Sequence, residues 1–469
     1  MTRITGPTPA TEAINWIYAS YNRAKPAAKA GYDRDVRHPE WTDRMLDALG
    51  RPDLGGYNVA ITGSKGKGSH AILLAGMLQR MGLRVGLFTG PHLVDFMERF
   101  RIDGEVMPED EFVRLVERVR PVADALPVPQ EQYLGPVGLL AVVAALWFSS
   151  ERTDVNVYEL GRGAQHDDVN RVRHRGAVVA PVFLEHREQL GPTLTDVARE
   201  KSGVITPDTR WVVSHRQDPV PQAVFEQAAA QAGIPFLCLG RDFDWTSADG
   251  GKLVQVDLGG RRVDIRLPDG DNEYLAGNAA VALAAALRIW ADLRPGRPLP
   301  EEVNLSDLRL PGRMEVVGRA PWVAIDGTIH GRSAIHAARW AHRHRGPGGR
   351  VGVILGLPAD KDGPGVLEAL WGTADWLVFA RAHNPHLRFD GEWARLARSR
   401  WHDVTEASFI EDALARAMPR LQPADVLLIL GTQSFVGDAL AAFDAETARL
   451  WRSRPIPDGA KEVGMWSFS

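Results

Sequence analysis

Seven residues near position 65 combine glycine, lysine and serine in a pattern that could bind phosphate. They run Gly63-Ser64-Lys65-Gly66-Lys67-Gly68-Ser69. Glycines let backbone N–H groups approach a phosphate closely, and the N-terminus of a following helix adds positive potential. Lys67 can reach the terminal phosphates of a nucleotide, and the Ser69 hydroxyl can touch a magnesium ion. The loop therefore predicts a nucleotide site, with a glycine-rich connector in an α/β sheet as the alternative.

The sequence on either side of this loop supplies the strand and the helix that it needs. Residues 58–61 are mostly apolar and precede the glycines as a short strand. Apolar residues recur with helical spacing between residues 72 and 78, and Gly82 is a suitable end for that helix. A second strand is predicted at 84–88. The spacing of the glycines is shorter than in the standard pattern, so the loop is a variant of it.

Strands and helices alternate from residue 57 to about residue 239, which predicts a parallel sheet with helices on both faces. Further strands are predicted at 154–158, 177–182 and 211–213. Residues 250–268 alternate apolar and polar side chains and predict an antiparallel hairpin attached to that sheet. An alanine-rich helix is predicted at 278–293. The first 55 residues should be mostly helical, with a loop at 22–40.

A stretch rich in proline and glycine at 294–300 is the best linker, and it divides the chain into domains 1–298 and 299–469. Beyond it, strands are predicted at 322–325, 351–355, 376–379 and 426–430. The predicted class is α/β, with an N-terminal P-loop domain that has a mostly parallel central sheet plus a small antiparallel hairpin. A smaller C-terminal Rossmann-like domain follows. The glycine loop, Glu159 and Asp326 all follow strands, so the two domains could present facing strand ends across one cleft.

The overall composition narrows the class of protein. The chain has 469 residues, of which 45% are hydrophobic and 24% charged, and its net charge is -4. That charge gives no reason to expect nucleic acid or an anionic membrane as a partner. The single cysteine, Cys238, excludes an internal disulfide and a cysteine-based metal cluster. The longest apolar run, 136–148, is too short to span a bilayer and predicts a buried helix, so we expect a cytoplasmic protein.

Six further segments carry polar residues that a nucleotide-dependent enzyme could use. They are Thr89-Gly90-Pro91-His92-Leu93, 159–170, Leu184-Glu185-His186, Arg199-Glu200-Lys201-Ser202-Gly203, Pro311-Gly312-Arg313-Met314-Glu315 and Asp326-Gly327. In this order and spacing they resemble the folylpolyglutamate synthase and dihydrofolate synthase group of the Mur ligase superfamily. The resemblance runs from about residue 14 to about residue 441. It implies an enzyme that uses ATP to join a carboxylate to an amine through an acyl phosphate.

The resemblance implies a role for each matching residue of the first domain. Lys67 would contact the ATP phosphates, and Glu159 would hold magnesium together with Ser69. His186 would bind a second metal ion, with a simple hydrogen-bonding histidine as the alternative. Lys201 would be the lysine that the family carbamylates, with an unmodified surface lysine as the alternative.

Three more residues complete the implied nucleotide site. Asn278 resembles the residue that reads adenine, and a helix N-cap is its alternative. Arg313 resembles the arginine that contacts phosphates from the second domain. Asp326 resembles the acid of the Asp-Gly-Ala-His-Asn-Pro turn of the family. The cofactors implied are ATP and one or two magnesium ions.

Departures from the family pattern bear on the substrates. Gly90 stands where the family usually has a serine that ligates magnesium, and the turn after Asp326 lacks the Asn-Pro pair. We expect a ligase that adds an amino acid such as glutamate to a folate or to a specialised metabolite. A nucleotide-binding relative that binds a partner protein without ligation is the alternative, and a plain P-loop kinase or switch NTPase explains fewer of the motifs. The other partners should be small molecules, and the protein a monomer or a small homo-oligomer.

Overall fold

The computed structural model describes residues 8–28, 31–268 and 273–453. Over these residues the chain forms two compact units. The first takes in the described parts of Met1–Gly90, Arg99–Leu267 and Leu275–Leu305, and the second those of Pro91–Glu98, Pro268–Tyr274 and Ser306–Ser469. The domain boundary after residue 298, which rests on the linker sequence, stays a prediction.

The first unit carries the larger set of helices and strands. In chain order they are α1 (Pro9–Ala28), α2 (Asp33–Val36), α3 (Glu40–Ala48), β1 (Tyr57–Thr62), α4 (Lys67–Arg80), β2 (Val85–Phe88), β3 (Phe100–Ile102), β4 (Glu105–Val106), α5 (Glu109–Asp124), α6 (Pro136–Ser150), β5 (Val155–Glu159), β6 (Gly176–Val179), α7 (Arg187–Leu190), α8 (Leu194–Ser202), β7 (Trp211–Ser214), α9 (Pro219–Ala232), β8 (Phe236–Cys238), β9 (Asp244–Ala248), β10 (Leu253–Leu258), β11 (Arg261–Arg266), α10 (Glu273–Leu293) and β12 (Glu302–Asn304).

Eight of these strands form one sheet in the order β4-β3-β2-β5-β1-β6-β7-β8. Strands β2, β5, β1, β6, β7 and β8 are parallel, which confirms the parallel sheet and its predicted strands. β3 and β4 extend one edge in antiparallel pairing. These two edge strands have three and two residues. They were not predicted because such short strands leave no readable alternation.

The elements around the glycine loop form as predicted. All six residues of β1 are buried, as a central parallel strand covered on both faces requires. Helix α4 follows and ends at Arg80, and Gly82 beyond it takes a positive φ of 87°. Helix α6 is buried over nearly its whole length, so the buried helix predicted from 136 is confirmed.

Three sequence-based expectations for this unit need correction. The loop predicted at 22–40 is wrong in part, because α1 continues to Ala28 and α2 follows. Alanine, arginine and lysine in that stretch favour a helix that is already formed. The antiparallel hairpin exists, as β10 and β11, but it belongs to a separate sheet ordered β12-β11-β10-β9. Helix α10 begins at Glu273, five residues before its predicted start.

One helix among the described residues is long and apolar enough to cross a membrane by length and composition. It is the 19-residue segment Leu275–Leu293, and 78% of its apolar 18-residue window is buried inside the fold. A core helix of a globular unit passes the same test, so this feature is weak support for a membrane span.

The second unit has its own elements. They are β13 (Glu315–Gly318), β14 (Trp322–Asp326), α11 (Gly331–His344), β15 (Val351–Gly356), α12 (Gly363–Leu370), β16 (Trp376–Arg381), α13 (Glu392–Ala397), β17 (Val404–Phe409), α14 (Ile410–Ala417), β18 (Val426–Gly431) and α15 (Gln433–Ala442). The sheet order is β13-β14-β18-β15-β16-β17, with only β13 antiparallel to its neighbour. Two apolar clusters cover its faces, one built with α11, α12 and α13 and the other with α14 and α15. This confirms the predicted C-terminal α/β unit.

Candidate functional site

The glycine loop turns tightly between β1 and α4. Gly63 has a φ of 140°, and a Cβ there would lie 2.7 Å from the Ala180 side chain. Gly66 has a φ of 87° and immediately precedes α4. Both positions require glycine, because other residues rarely adopt such φ values. The loop is thereby pressed against the end of β6.

Backbone amides and a hydroxyl of the loop anchor it to the segment after β6. The Ser64 amide donates to Pro181 O (2.9 Å), and the Lys65 amide points to the same oxygen at 3.5 Å. The Ser64 hydroxyl donates to Phe183 O (3.0 Å). The predicted cofactor residue Ser64 therefore shapes the loop with its hydroxyl.

The start of α4 provides an anion-binding geometry. The first helical hydrogen bond runs from the His70 amide to Gly66 O (2.9 Å). The amides of Lys67, Gly68 and Ser69 are thus the open N–H groups that every helix presents at its N-terminus. Such groups and the helix dipole attract phosphate. The Lys67 ammonium sits over the loop and donates to Gly63 O (3.0 Å).

Ser69 and Glu159 have the properties of magnesium ligands. Ser69 is 1% exposed, and its Oγ has no hydrogen-bond partner in the described part of the chain. Glu159 ends β5 and accepts from the Gly90 amide (3.1 Å). A Cβ at Gly68 would lie 3.3 Å from Glu159 Oε2, so the carboxylate reaches the start of α4. A buried hydroxyl and a carboxylate fit a hard cation that also takes phosphate and water ligands.

The described residues contain no group of three or more histidine, cysteine, aspartate or glutamate side chains suited to a metal ion. Magnesium in nucleotide sites usually takes one or two protein oxygens together with substrate phosphates and water. The donors Ser69 and Glu159 match that smaller requirement.

Lys201 is fully buried, so the alternative interpretation of this residue as a surface lysine is wrong. Its Nζ donates to Gly63 O (2.9 Å) and Arg162 O (2.5 Å), and it pairs with Glu185 Oε1 at 3.0 Å. Burial, and then the charge of Lys67, lower the pKa of Lys201 to about 8, although Glu185 acts in the opposite direction. Two lysine side chains thus share the Gly63 carbonyl.

His186 lies at the rim of this cluster. It precedes α7 with a φ of 46°, and its side chain is 45% exposed. Its Nε2 is 3.7 Å from Glu185 Oε2. Burial of part of the ring lowers the pKa of His186, and the nearby positive charges of Lys201 and Lys67 add to that effect. The neutral imidazole that results is the form that binds a metal ion.

Asn278 lies inside α10 and is 4% exposed. Because α10 begins at Glu273, the alternative that Asn278 is an N-cap is wrong. Its side-chain nitrogen is 3.8 Å from the position that a Cβ on Gly66 would occupy. The structure therefore brings Asn278 to the glycine loop from far along the chain.

Sequence reasoning missed two supports of this cluster. One is Glu185, the partner of Lys201; it directly precedes His186, and an acid next to a candidate ligand was the available signal. Asp33 binds the Arg162 guanidinium through Nε (2.7 Å) and Nη2. This pair holds the backbone whose carbonyl faces Lys201. Asp33 fell within the predicted loop at 22–40 and gave no signal of its own.

Arg313 and Asp326 lie together in the second unit. Asp326 ends β14, is 6% exposed, and accepts from the Met314 amide (2.9 Å) and the Thr328 hydroxyl. A Cβ on Gly327, the next residue, would lie 2.7 Å from Arg313 Nη1. The absence of a side chain at Gly327 leaves room for the guanidinium beside the end of β14.

A buried ion pair fixes the loop that carries Arg313. Arg309 and Glu315 are each 5% exposed, and the Arg309 Nε donates to Glu315 Oε1 (3.0 Å). The other oxygen of Glu315 accepts from the Gly312 amide (2.9 Å). The loop from 309 to 315 is therefore closed on itself by charge-assisted hydrogen bonds.

The chain matches known proteins over most of its length. The family described as "Mur ligase, glutamate ligase domain" matches residues 312–433. A folylpolyglutamate synthase of Lacticaseibacillus casei is 31% identical over 362 residues, which cover 75% of this chain and 80% of that protein. A dihydrofolate synthase/folylpolyglutamate synthase of Bacillus subtilis is 25% identical over 441 residues, covering 91% and 97% respectively.

A solved structure agrees with these sequence matches. Mycobacterium tuberculosis folylpolyglutamate synthase, crystallised with ADP and AMPPCP, superposes with a TM-score of 0.75 at 25% identity and covers 91% of this chain and 99% of its own. The chain belongs to the folylpolyglutamate synthase group of the Mur ligase superfamily and is an ATP-dependent carbon–nitrogen ligase.

Proposed function

We propose that the chain adds glutamate to a folate-type carboxylate. A carboxylate oxygen of the acceptor would attack the γ-phosphorus of ATP, and ADP would leave. The glutamate amine would then attack the acyl carbon, lose a proton and displace inorganic phosphate, which leaves an amide. The names of the relatives support this choice of substrates. A specialised carboxylate as the acceptor is the second candidate.

The single observation that carries the proposal is the convergence of donors at the start of α4. The open amides of 67–69 and the Lys67 ammonium would bind the ATP phosphates, with Lys67 exchanging Gly63 O for a phosphate oxygen. Ser69 and Glu159 would hold Mg²⁺. When bound, this ion would neutralise part of the negative charge of the phosphates. Preorganised donors of this kind stabilise the charge that develops on a transferring phosphoryl group.

The other predicted site residues take roles that fit their positions. Asn278 would contact the adenine ring, since its amide lies near Gly66. Arg313 would bind phosphate with its planar guanidinium, and Asp326 would hold the Arg313 loop through the Met314 amide. His186 would serve a second metal ion as a neutral imidazole. Lys65 would add positive charge to the loop.

Carbamylation of Lys201 is part of this proposal. The reaction joins the neutral amine to carbon dioxide and releases a proton, so the lowered pKa of Lys201 supports it. The present contacts to two carbonyl oxygens and to Glu185 suit an ammonium. A carbamate would therefore require Glu185 to turn away. Labelled bicarbonate and carbon-13 NMR would detect the carbamate, and Lys201→Met is its blank.

The proposed enzyme acts on small molecules as a monomer or a small homo-oligomer. A cytoplasmic location is proposed from the kind of enzymes to which the chain is similar.

The experiment that tests the function measures release of ADP and phosphate from magnesium-ATP. The acceptor panel contains folates and other carboxylates, each with and without glutamate or another amino acid, and mass spectrometry identifies the amide. We expect release that needs both a folate and glutamate, and loss of release in Lys67→Ala. The exposed Lys252→Ala is the matched control. Tight ATP binding without stimulated release over the whole panel would contradict the proposal and favour a non-ligating relative.

A further inference from the structure

A crevice in the second unit lies at the carboxyl ends of β15, β16 and β17. Its volume is about 590 Å³, within the roughly 300–1,000 Å³ of small-molecule sites. Its lining comes from the ends of these strands, from the start of α13 and from α14. None of the residues assigned above to ATP, metal or phosphoryl transfer lines it.

The topology of the sheet explains why an opening forms there. After β16 the chain passes to α13, which packs in the cluster that also contains α11 and α12. After β17 it passes to α14, which packs in the cluster on the opposite face. Neighbouring strands whose connections leave toward opposite faces open a crevice between their carboxyl ends. Ligands of open α/β sheets bind at such points.

The strand pairing is irregular at the same place. Phe379 pairs with Glu406, but Arg381 pairs with Phe409, so β17 holds one more residue than β16 between these pairs. Such bulges turn side chains away from their regular direction and are frequent beside binding sites. The bulge lies at the lining residues Ala407 and Ser408.

Aromatic side chains supply much of the wall. Phe379 and Trp393 pack against the cluster on one face of the sheet, and Phe389 packs against that on the other. The Trp393 indole N–H donates to Pro358 O (3.1 Å), which fixes its ring. Phe409 is a large apolar residue that is nevertheless 40% exposed. A flat ring is the ligand shape that such walls accommodate best.

Most charges in the lining are already paired. Arg416 contacts both oxygens of Asp412, at 2.9 and 3.3 Å. Glu406 accepts from Arg398 (2.6 Å). Arg381 is the last residue of β16 and is exposed. Its guanidinium makes no hydrogen bond or ion pair with any residue that the structure describes. Arg381 is therefore the cation of the crevice that is available to a ligand.

We propose that this crevice binds a small aromatic carboxylate, with its carboxylate on Arg381 and its ring among the aromatic side chains. A guanidinium forms two parallel hydrogen bonds with a carboxylate. One available guanidinium suits a single negative charge. The carboxylates of Asp390, Glu406 and Asp412 in the lining would repel the larger charge of a phosphate group.

The test is saturation-transfer NMR and calorimetry on the full chain with four probes. These are benzoate, 4-aminobenzoate, neutral benzamide and inorganic phosphate. We expect saturable binding of the two carboxylates. Benzamide and phosphate should bind at least about tenfold more weakly, as loss of a charge-assisted contact implies. The neutral amide keeps the ring of benzoate, so it isolates the contribution of the charge.

Variants locate the binding. Arg381→Gln should weaken carboxylate binding about tenfold or more, and Phe409→Ala should weaken both ring-bearing carboxylates. Arg400→Gln, at an exposed arginine outside the lining, is the matched control and should bind as the wild type does. Arg381 is exposed and makes no hydrogen bond with the described residues, so Arg381→Gln should unfold at the wild-type temperature. Absence of saturable carboxylate binding, or binding that Arg381→Gln leaves unchanged, would overturn the proposal.

Discussion

Replacing Lys201 with methionine tests how the buried amine is held. Methionine keeps the length of the side chain and removes its charge, so the variant has no titrating group at this position. In the wild type, the ammonium is surrounded by Gly63 O, Arg162 O and Glu185 with no exposure to solvent. The free energy of unfolding of the wild type should therefore depend on pH in a way that the variant does not share.

The sign and size of this dependence follow from the pKa. The pKa of Lys201 falls from 10.5 to about 8, first because of burial and then because of Lys67. Between these values the unfolded chain binds more protons than the folded one, so stability rises with pH. At about 1.4 kcal/mol per pKa unit, the buried ammonium costs roughly 3 kcal/mol at neutral pH. About 2 kcal/mol of this is recovered between about pH 7 and about pH 9.5.

Urea unfolding at a series of pH values, followed by tryptophan fluorescence, measures the effect. The buffer is free of metal and bicarbonate, so that neither magnesium nor carbamylation contributes. The difference in unfolding free energy, wild type minus Lys201→Met, should rise by about 2 kcal/mol across that range. Lys252→Met, at an exposed lysine, controls for the loss of a lysine as such. A difference that stays constant or falls as the pH rises would refute the reasoning.

Three further predictions concern the glycine loop, the proposed magnesium site and the second unit. Gly63→Ala should destabilise the protein by about 2–4 kcal/mol and abolish ATP binding in calorimetry, because of its φ of 140°; wild-type ATP affinity would contradict this. Gly90→Ser places a Cβ 3.2 Å from the movable end of Arg99, so the variant should fold. It should lower the half-saturating magnesium concentration of ATP turnover. An unchanged magnesium requirement would place the serine hydroxyl away from the metal. Glu315→Ala leaves the buried Arg309 charge unpaired and should lower the free energy of urea unfolding by about 3–5 kcal/mol. The double change Arg309→Met/Glu315→Met should recover most of this loss. Equal losses in the single and the double variant would count against the ion pair.

The local parts of the site could be predicted because their signals are local. The glycine loop, β1 and α4 are consecutive in the chain, and apolar periodicity and glycine positions decide them within about twenty residues. The same holds for Glu159 and Asp326, which were located by the ends of apolar strands. Family resemblance then supplied roles that no spacing rule could supply.

The hairpin and the N-terminal helices show where local signals fail. Residues 250–268 carry the alternation of a hairpin in any sheet, and nothing in that pattern says which sheet it joins. β12, only three residues long, completes the separate sheet after more than thirty intervening residues. The continuation of α1 depended on the balance between helix propensity and the turn residues nearby, which the sequence alone does not resolve.

The sequence by itself determined the α/β class, the glycine loop between a strand and a helix, and the residues that end the parallel strands. Only the tertiary structure decided that Lys201 is buried, that Glu185 is its partner, and that Asn278 reaches the loop from inside a helix. Lys201 and Gly63 are separated by 138 positions in the chain. Their contact, and with it the lowered pKa of Lys201, exists only because α8 and the glycine loop pack together. Burial and charge depend on neighbours in space, whereas periodicity reports on neighbours in sequence.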